Sequence, residues 1–266
     1  EVAVLVEEMG RHAAPAPYVS TVLALDALAA AGEQAWVERI LAGDALACVA
    51  WDASAPVPYA PSADIAVVCG AAGVALVELA ERPRREPAMD LTRELGWLPR
   101  ATGRVIGDTA ASDRLRDRGA TFAAADLLGS ASRVLDLAVE YAKHRVQFGR
   151  PIGSFQAVKH RCADMLVDVE GMRSAVYWAA WCLAAADADA SIAASTAKTW
   201  CSDASKRVMA SALQVHGGIG FTWEHDLHFF LKRAQLDQLA FGDASFHRAR
   251  LTALLRPRVE SGESVV

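Results

Sequence analysis

The residues best equipped for chemistry lie in "YAKHRVQFGRPIGSFQAVKHRC", Tyr141 to Cys162. Lys143, His144, Arg145, Arg150, Lys159, His160 and Arg161 concentrate basic charge in a chain whose net charge is −5. A guanidinium grips phosphate through two parallel hydrogen bonds. Phe148 sets a flat apolar face beside Arg145, and Gln156 adds a side-chain amide. Basic residues also suit the C-terminal end of a helix, where they meet the helix dipole. Taken alone, the stretch reads first as a solvated helix end.

A second stretch, "LQVHGGIGFTWEHD", runs from Leu213 to Asp226. Gln214 offers another amide, and Gly217, Gly218 and Gly220 let backbone come close to a ligand. A helix C-cap explains the same glycines. The stretch follows a helix, so it is not the glycine fingerprint that joins a strand to a helix in dinucleotide-binding folds. Glu224 and Asp226 read as caps of the next helix, whose N-terminus favours acids. His216, His225, His228 and His247 show no metal-ligand spacing, and no metal is expected.

The elements that must position these residues follow from hydrophobic periodicity. Residues 1–49 read as helices, with breaks at Gly32 and Gly43. Over 50–107 the texture changes: prolines cluster, and "DIAVVC" and "VALVEL" flank a Gly-containing turn, as in a β-hairpin. Residues 108–266 read as a helical bundle. Leu127, Leu128, Ala131, Val134, Leu135, Ala138 and Tyr141 share one stripe. Val158, Cys162, Met165, Leu166, Val169 and Met172 form a stripe expected to point inward on the next helix. Two further long helices and a short one follow, and four long helices with short joins predict an antiparallel bundle. The expected architecture is mainly α with a small β domain.

Composition narrows the function classes. Hydrophobic residues make up 53% of the 266, yet no run of about 18 apolar residues is free of charge, so no membrane span is expected. The five cysteines include no CxxC pair, which predicts reduced, buried thiols in a cytoplasmic protein. The net negative charge gives no general attraction to nucleic acid or anionic membrane. The chain starts without Met and in mid-pattern, so further residues are expected upstream.

Together the two stretches resemble the C-terminal half of the acyl-CoA dehydrogenases, over roughly residues 120–255. The resemblance implies a helical domain, a β domain and a four-helix bundle, assembled as a tetramer that binds FAD. It implies that R-x-x-F-G and Q-x-x-G-G reach across an interface to the adenine dinucleotide half of a neighbour's flavin. Arg145 should then meet the pyrophosphate, and Phe148 should pack beside the nucleotide. Gln156 should bond the cofactor, while Gln214, Gly217 and Gly218 line its pocket.

The chain departs from the family where the catalytic carboxylate belongs. The family's usual Glu lies 27 residues after the Gln of Q-x-x-G-G, a place held here by Phe241. Its alternative place, 26 residues before the motif arginine, is Gly119. A positioned general base is worth about 10²–10⁴-fold in rate, so this chain should not complete a family active site unaided. The segment expected to hold the flavin ring, "CVAWDASAPVPYAPSADIAVV", is shortened. The pattern resembles the subunit without Glu of actinobacterial heterotetrameric acyl-CoA dehydrogenases, several acting on steroid side-chain CoA thioesters. This implies an unlike partner subunit that supplies the base and the acyl-CoA cleft. Two alternatives stand beside it: a purely structural partner without FAD, and a homo-oligomeric flavoenzyme with Asp243 as base.

Overall fold

The computed structural model describes residues 1–52, 54–99 and 103–262. In chain order the helices α1 (Val2–Arg11), α2 (Tyr18–Ala30) and α3 (Gln34–Ala42) come first. Six strands follow: β1 (Ala47–Ala50), β2 (Val57–Pro58), β3 (Ile65–Gly70), β4 (Gly73–Glu78), β5 (Leu95–Gly96) and β6 (Arg104–Gly107). The long helix α4 (Thr109–His144) leads to the short hairpin β7 (Val146–Gln147) and β8 (Arg150–Pro151). Then come α5 (Gln156–Ala184), α6 (Ala190–His216), α7 (Leu227–Leu239) and α8 (Ala244–Ser261). The chain is mainly helical with a small β region.

Two compact units divide it: Pro15–Gly119, and Glu1–Ala14 with the residues from Ala120 onward. In the first, four strands form a sheet in the order β1-β3-β4-β6. The expected hairpin is β3 against β4, antiparallel, with Cys69 opposite Val74 and Gly73 at φ +112°. β1 runs parallel to β3, which the sequence reading places at the end of a helical segment. Its four residues, "ACVA", are all buried, so they carry no alternation and cannot be told from a buried helix by pattern. Asp64 anchors the start of β1, accepting from the Leu46 N–H at 2.8 Å.

In the other unit α6 packs along α5 and α8. Its small inward residues Ala194, Ala197, Cys201, Ala204 and Val208 are wholly buried. Helix α1 lies so close to α4 that a Cβ on Gly129 would come within 1.8 Å of the Glu7 carbonyl oxygen. The Glu7 carboxylate accepts from Arg173 at 2.5 Å and from the Tyr177 hydroxyl at 2.7 Å, which ties α1 to α5. Arg233 of α7 forms a buried two-point ion pair with Asp126 of α4, at 2.8 and 2.6 Å.

The α5 stripe holds for Met165, Val169 and Met172, which are buried. Leu166 corrects it: this residue is half exposed. It stands one position off the i, i+4, i+7 line and lines an open groove of about 740 Å³ with Arg133, Asp136, Glu140 and Cys162. Cys48, Cys69, Cys182 and Cys201 are buried, and burial pushes the thiols of Cys48 and Cys69 up to about 12. They are inert at neutral pH. No helix among the described residues is long and apolar enough to cross a membrane.

Candidate nucleotide-binding site

Helix α4 ends with Lys143 and His144 in its last turn, where cations complement the exposed carbonyls. The Arg145 N–H still donates to the Tyr141 carbonyl at 2.9 Å, and the Arg145 carbonyl accepts from the Ile152 N–H at 2.8 Å. That bond closes the hairpin. Gln147 pairs with Arg150, and the two residues between them, Phe148 at φ +52° and Gly149 at φ +76°, are both left-handed. A two-residue hairpin loop of type I′ needs positive φ at both central positions. Glycine accepts this freely, whereas a bulky residue there costs of order 1–3 kcal/mol.

The strained turn holds Phe148 in the open, 90% exposed. Phe155 meets its ring edge-on at 6.1 Å between centroids, and the Arg150 guanidinium lies 4.2 Å over the Phe155 ring. Arg145 has no side-chain hydrogen bond or ion pair among the described residues. Gln156 opens α5, and its amide is 3.4 Å from the His160 ring nitrogen one turn on. The hairpin therefore presents a guanidinium without a side-chain partner and an exposed aromatic ring on the surface, and α5 opens just after it with the exposed Gln156 amide.

Gln214 is exposed in the last turn of α6, and Gly217 follows the helix at φ +63°, ψ −141°. A Cβ on Gly217 or Gly218 would meet nothing within 4 Å, so this backbone is open to approach. The two stretches meet at their roots. The His216 ring stacks on Tyr141, with centroids 4.7 Å apart and planes 23° from parallel. Tyr141 stands one turn before Arg145, and His216 directly precedes Gly217. Sequence pattern marks His216 only as a structural histidine, because no spacing signal reveals a stacked pair from two different helices.

The capping expectation at 224–226 needs correction. Asp226 precedes α7 but makes no side-chain cap bond. The Leu227 N–H donates instead to the His225 Nδ1 at 3.1 Å.

At the place of the family's usual carboxylate, Phe241 is left-handed at φ +57° and Gly242 follows at φ +102°. The Phe241 carbonyl bonds the His247 Nε2 at 3.0 Å. The Asp243 carboxylate accepts from the Phe246 N–H at 2.8 Å and caps α8. Beneath this turn Lys198 is fully buried, donating to the carbonyls of Gln238 and Gly242, both at 2.9 Å, and to the Ser202 hydroxyl at 3.3 Å. Burial lowers its pKa to about 8. The sequence reading also missed Lys198, whose one signal is a lone cation on the small-residue face of α6. The alternative base position, Gly119, is buried within α4.

Residues 110–255 match the family model described as acyl-CoA dehydrogenase, C-terminal domain. Acyl-CoA dehydrogenase IpdE2 of Mycolicibacterium smegmatis is 36% identical over 257 residues, covering 95% of this chain and 78% of that protein. Among solved structures, the Tcur3481-Tcur3483 steroid ACAD G363A variant superposes with a TM-score of 0.87 at 28% identity, over 97% of this chain and 81% of that one. The ChsE4-ChsE5 complex from Mycobacterium tuberculosis gives a TM-score of 0.85 at 29% identity, over 96% and 80% of the two chains.

Proposed function

The chain belongs to the acyl-CoA dehydrogenase family, and from that premise we propose that it is the nucleotide-gripping subunit of a heteromeric acyl-CoA dehydrogenase. One observation carries this reading: Phe148 is held 90% exposed in a strained turn of the hairpin that follows Arg145, whose guanidinium has no side-chain partner among the described residues. Uncovered aromatic surface costs free energy that a nucleotide seated there recovers, and the strained turn is what keeps the ring uncovered for it. FAD fits the residues present. Arg145 would hold its pyrophosphate and Phe148 would pack beside the nucleotide. Gln156 and Gln214 would bond it through their amides, with the open backbone of Gly217 and Gly218 alongside. When bound, FAD accepts the hydride in α,β-dehydrogenation of an acyl-CoA thioester.

The α-proton needs a base that this chain does not offer. Phe241 occupies the usual place, and the Asp243 carboxylate is engaged as a helix cap. An unlike acyl-CoA dehydrogenase subunit therefore supplies the base and the acyl cleft. Two of the structural relatives are named as paired assemblies, one as a steroid enzyme, which supports a heteromer, here taken as a heterotetramer, acting on a steroid thioester.

Arg145→Ala in the co-purified complex tests the reading. Loss of a charge-assisted bond to pyrophosphate should weaken FAD retention by about 10–100-fold. Unchanged retention would remove Arg145 from the site.

A further inference from the structure

The buried histidine between the two motifs carries a consequence for the same site, and it rests on the nucleotide reading above. His216 is 3% exposed. Its Nδ1 lies 2.8 Å from the Ala212 carbonyl. A carbonyl only accepts, so Nδ1 bears the hydrogen and the neutral ring leaves Nε2 as a bare acceptor. That Nε2 is buried with no hydrogen-bond partner among the described residues. One ring face stacks on Tyr141 of α4, and His225 meets the ring edge-on at 4.5 Å between centroids.

We infer that neutral His216 is a positioning residue that couples the Arg145 hairpin to the Gly217–Gly218 turn, and that a proton on its Nε2 loosens the couple and releases the nucleotide. The protonated ring would place an N–H donor and a positive charge where no acceptor waits, at the cost of a buried unpaired group. The groups facing it do not relieve this. Tyr141 from α4 is neutral. His225, from the segment before α7, disfavours a positive charge on His216. Behind His225, Asp226 is exposed, while His228 is buried beside Lys232 with its own Nδ1 unpartnered. Burial holds the His216 pKa below the ordinary histidine value against the opposing pull of the Ala212 carbonyl, and His225 adds a smaller lowering. The ring is therefore neutral at pH 7.

The sign follows from proton linkage. The native pKa is depressed, so the couple is intact above about 6.5 and is lost as pH falls below that. The loss is at most about tenfold per pH unit.

The test uses FAD retained through gel filtration by the complex co-expressed with its unlike subunit, at pH 7.5 and 5.5. Wild type should lose FAD at the lower pH by up to about tenfold in its first unit below 6.5. His216→Phe, which keeps the stack and removes the titrating nitrogen, should retain FAD equally at both. His216→Ala should lose FAD at both. PH-independent retention in wild type, or an unchanged pH profile in His216→Phe, would overturn the inference. Thermal unfolding of the full chain separates the two readings. If Arg145→Ala leaves FAD retention untouched, the nucleotide reading fails. A melting temperature that falls below pH 6.5 in wild type but not in His216→Phe still upholds the proton-sensitive couple; equal falls in both overturn it.

Discussion

The ammonium nitrogen of Lys198 lies 2.9 Å from the carbonyl oxygen of Gly242, and its other two contacts, Gln238 and Ser202, are acceptors as well. A buried cation thus holds the turn between α7 and α8 from below, across two left-handed residues, Phe241 and Gly242. Removing it would leave buried carbonyls without donors. Lys198→Met should therefore destabilise the chain by about 2–4 kcal/mol, two unsatisfied acceptors at about 1–3 kcal/mol each less the benefit of removing a buried charge. Urea unfolding at pH 7.5 measures it.

The same lysine predicts a pH effect. Its pKa falls from 10.5 to about 8 on folding, so between those values the unfolded chain binds more protons. Stability should therefore rise with pH across that window, by roughly 3 kcal/mol at most. The charged form is penalised in full below pH 8. The difference between wild type and Lys198→Met, taken at pH 7.5 and 10, isolates this group from others that titrate nearby. A difference that does not change with pH would contradict it.

The ion pair between Arg233 and Asp126 is buried on both sides. Breaking one member of such a pair leaves an uncompensated charge and costs about 3–5 kcal/mol. Asp126→Asn should lower the urea midpoint accordingly, and far more than Asp136→Asn, whose pair with Arg11 is exposed.

Gly129 tests the packing of α1 on α4. A methyl group there would press into the Glu7 carbonyl, and backbone cannot yield as a flexible side chain does. Gly129→Ala should cost about 3 kcal/mol or more, seen as a lower midpoint or loss of soluble protein. Gly218→Ala meets nothing and should leave stability unchanged.

Phe241→Glu places a carboxylate at the family's usual position. It should give no acyl-CoA turnover by this chain alone, because the base is only one part of the site and the proposed function places the acyl cleft in the partner subunit. Turnover with an artificial electron acceptor would contradict the division of labour between subunits.

The motifs at 145–156 and 214–218 are legible because their chemistry depends on residue type at fixed local spacing. The helices of the bundle are legible because burial on one side imposes a period. β1 is not, since "ACVA" is buried on both faces and shows no period. Leu166 misleads because one step along a helix turns a side chain by about 100°. Lys198 and His216 escape because their meaning lies in contacts with Gly242, 44 residues on, and Tyr141, 75 residues back. Local pattern carries no record of such pairings.

Flavin absorbance per mole of chain addresses the central claim directly, measured on this chain alone and after co-expression with an unlike acyl-CoA dehydrogenase subunit. The split-site account predicts a colourless chain alone and one flavin for each pair of unlike chains in the complex. A chain that is saturated with flavin by itself would contradict it.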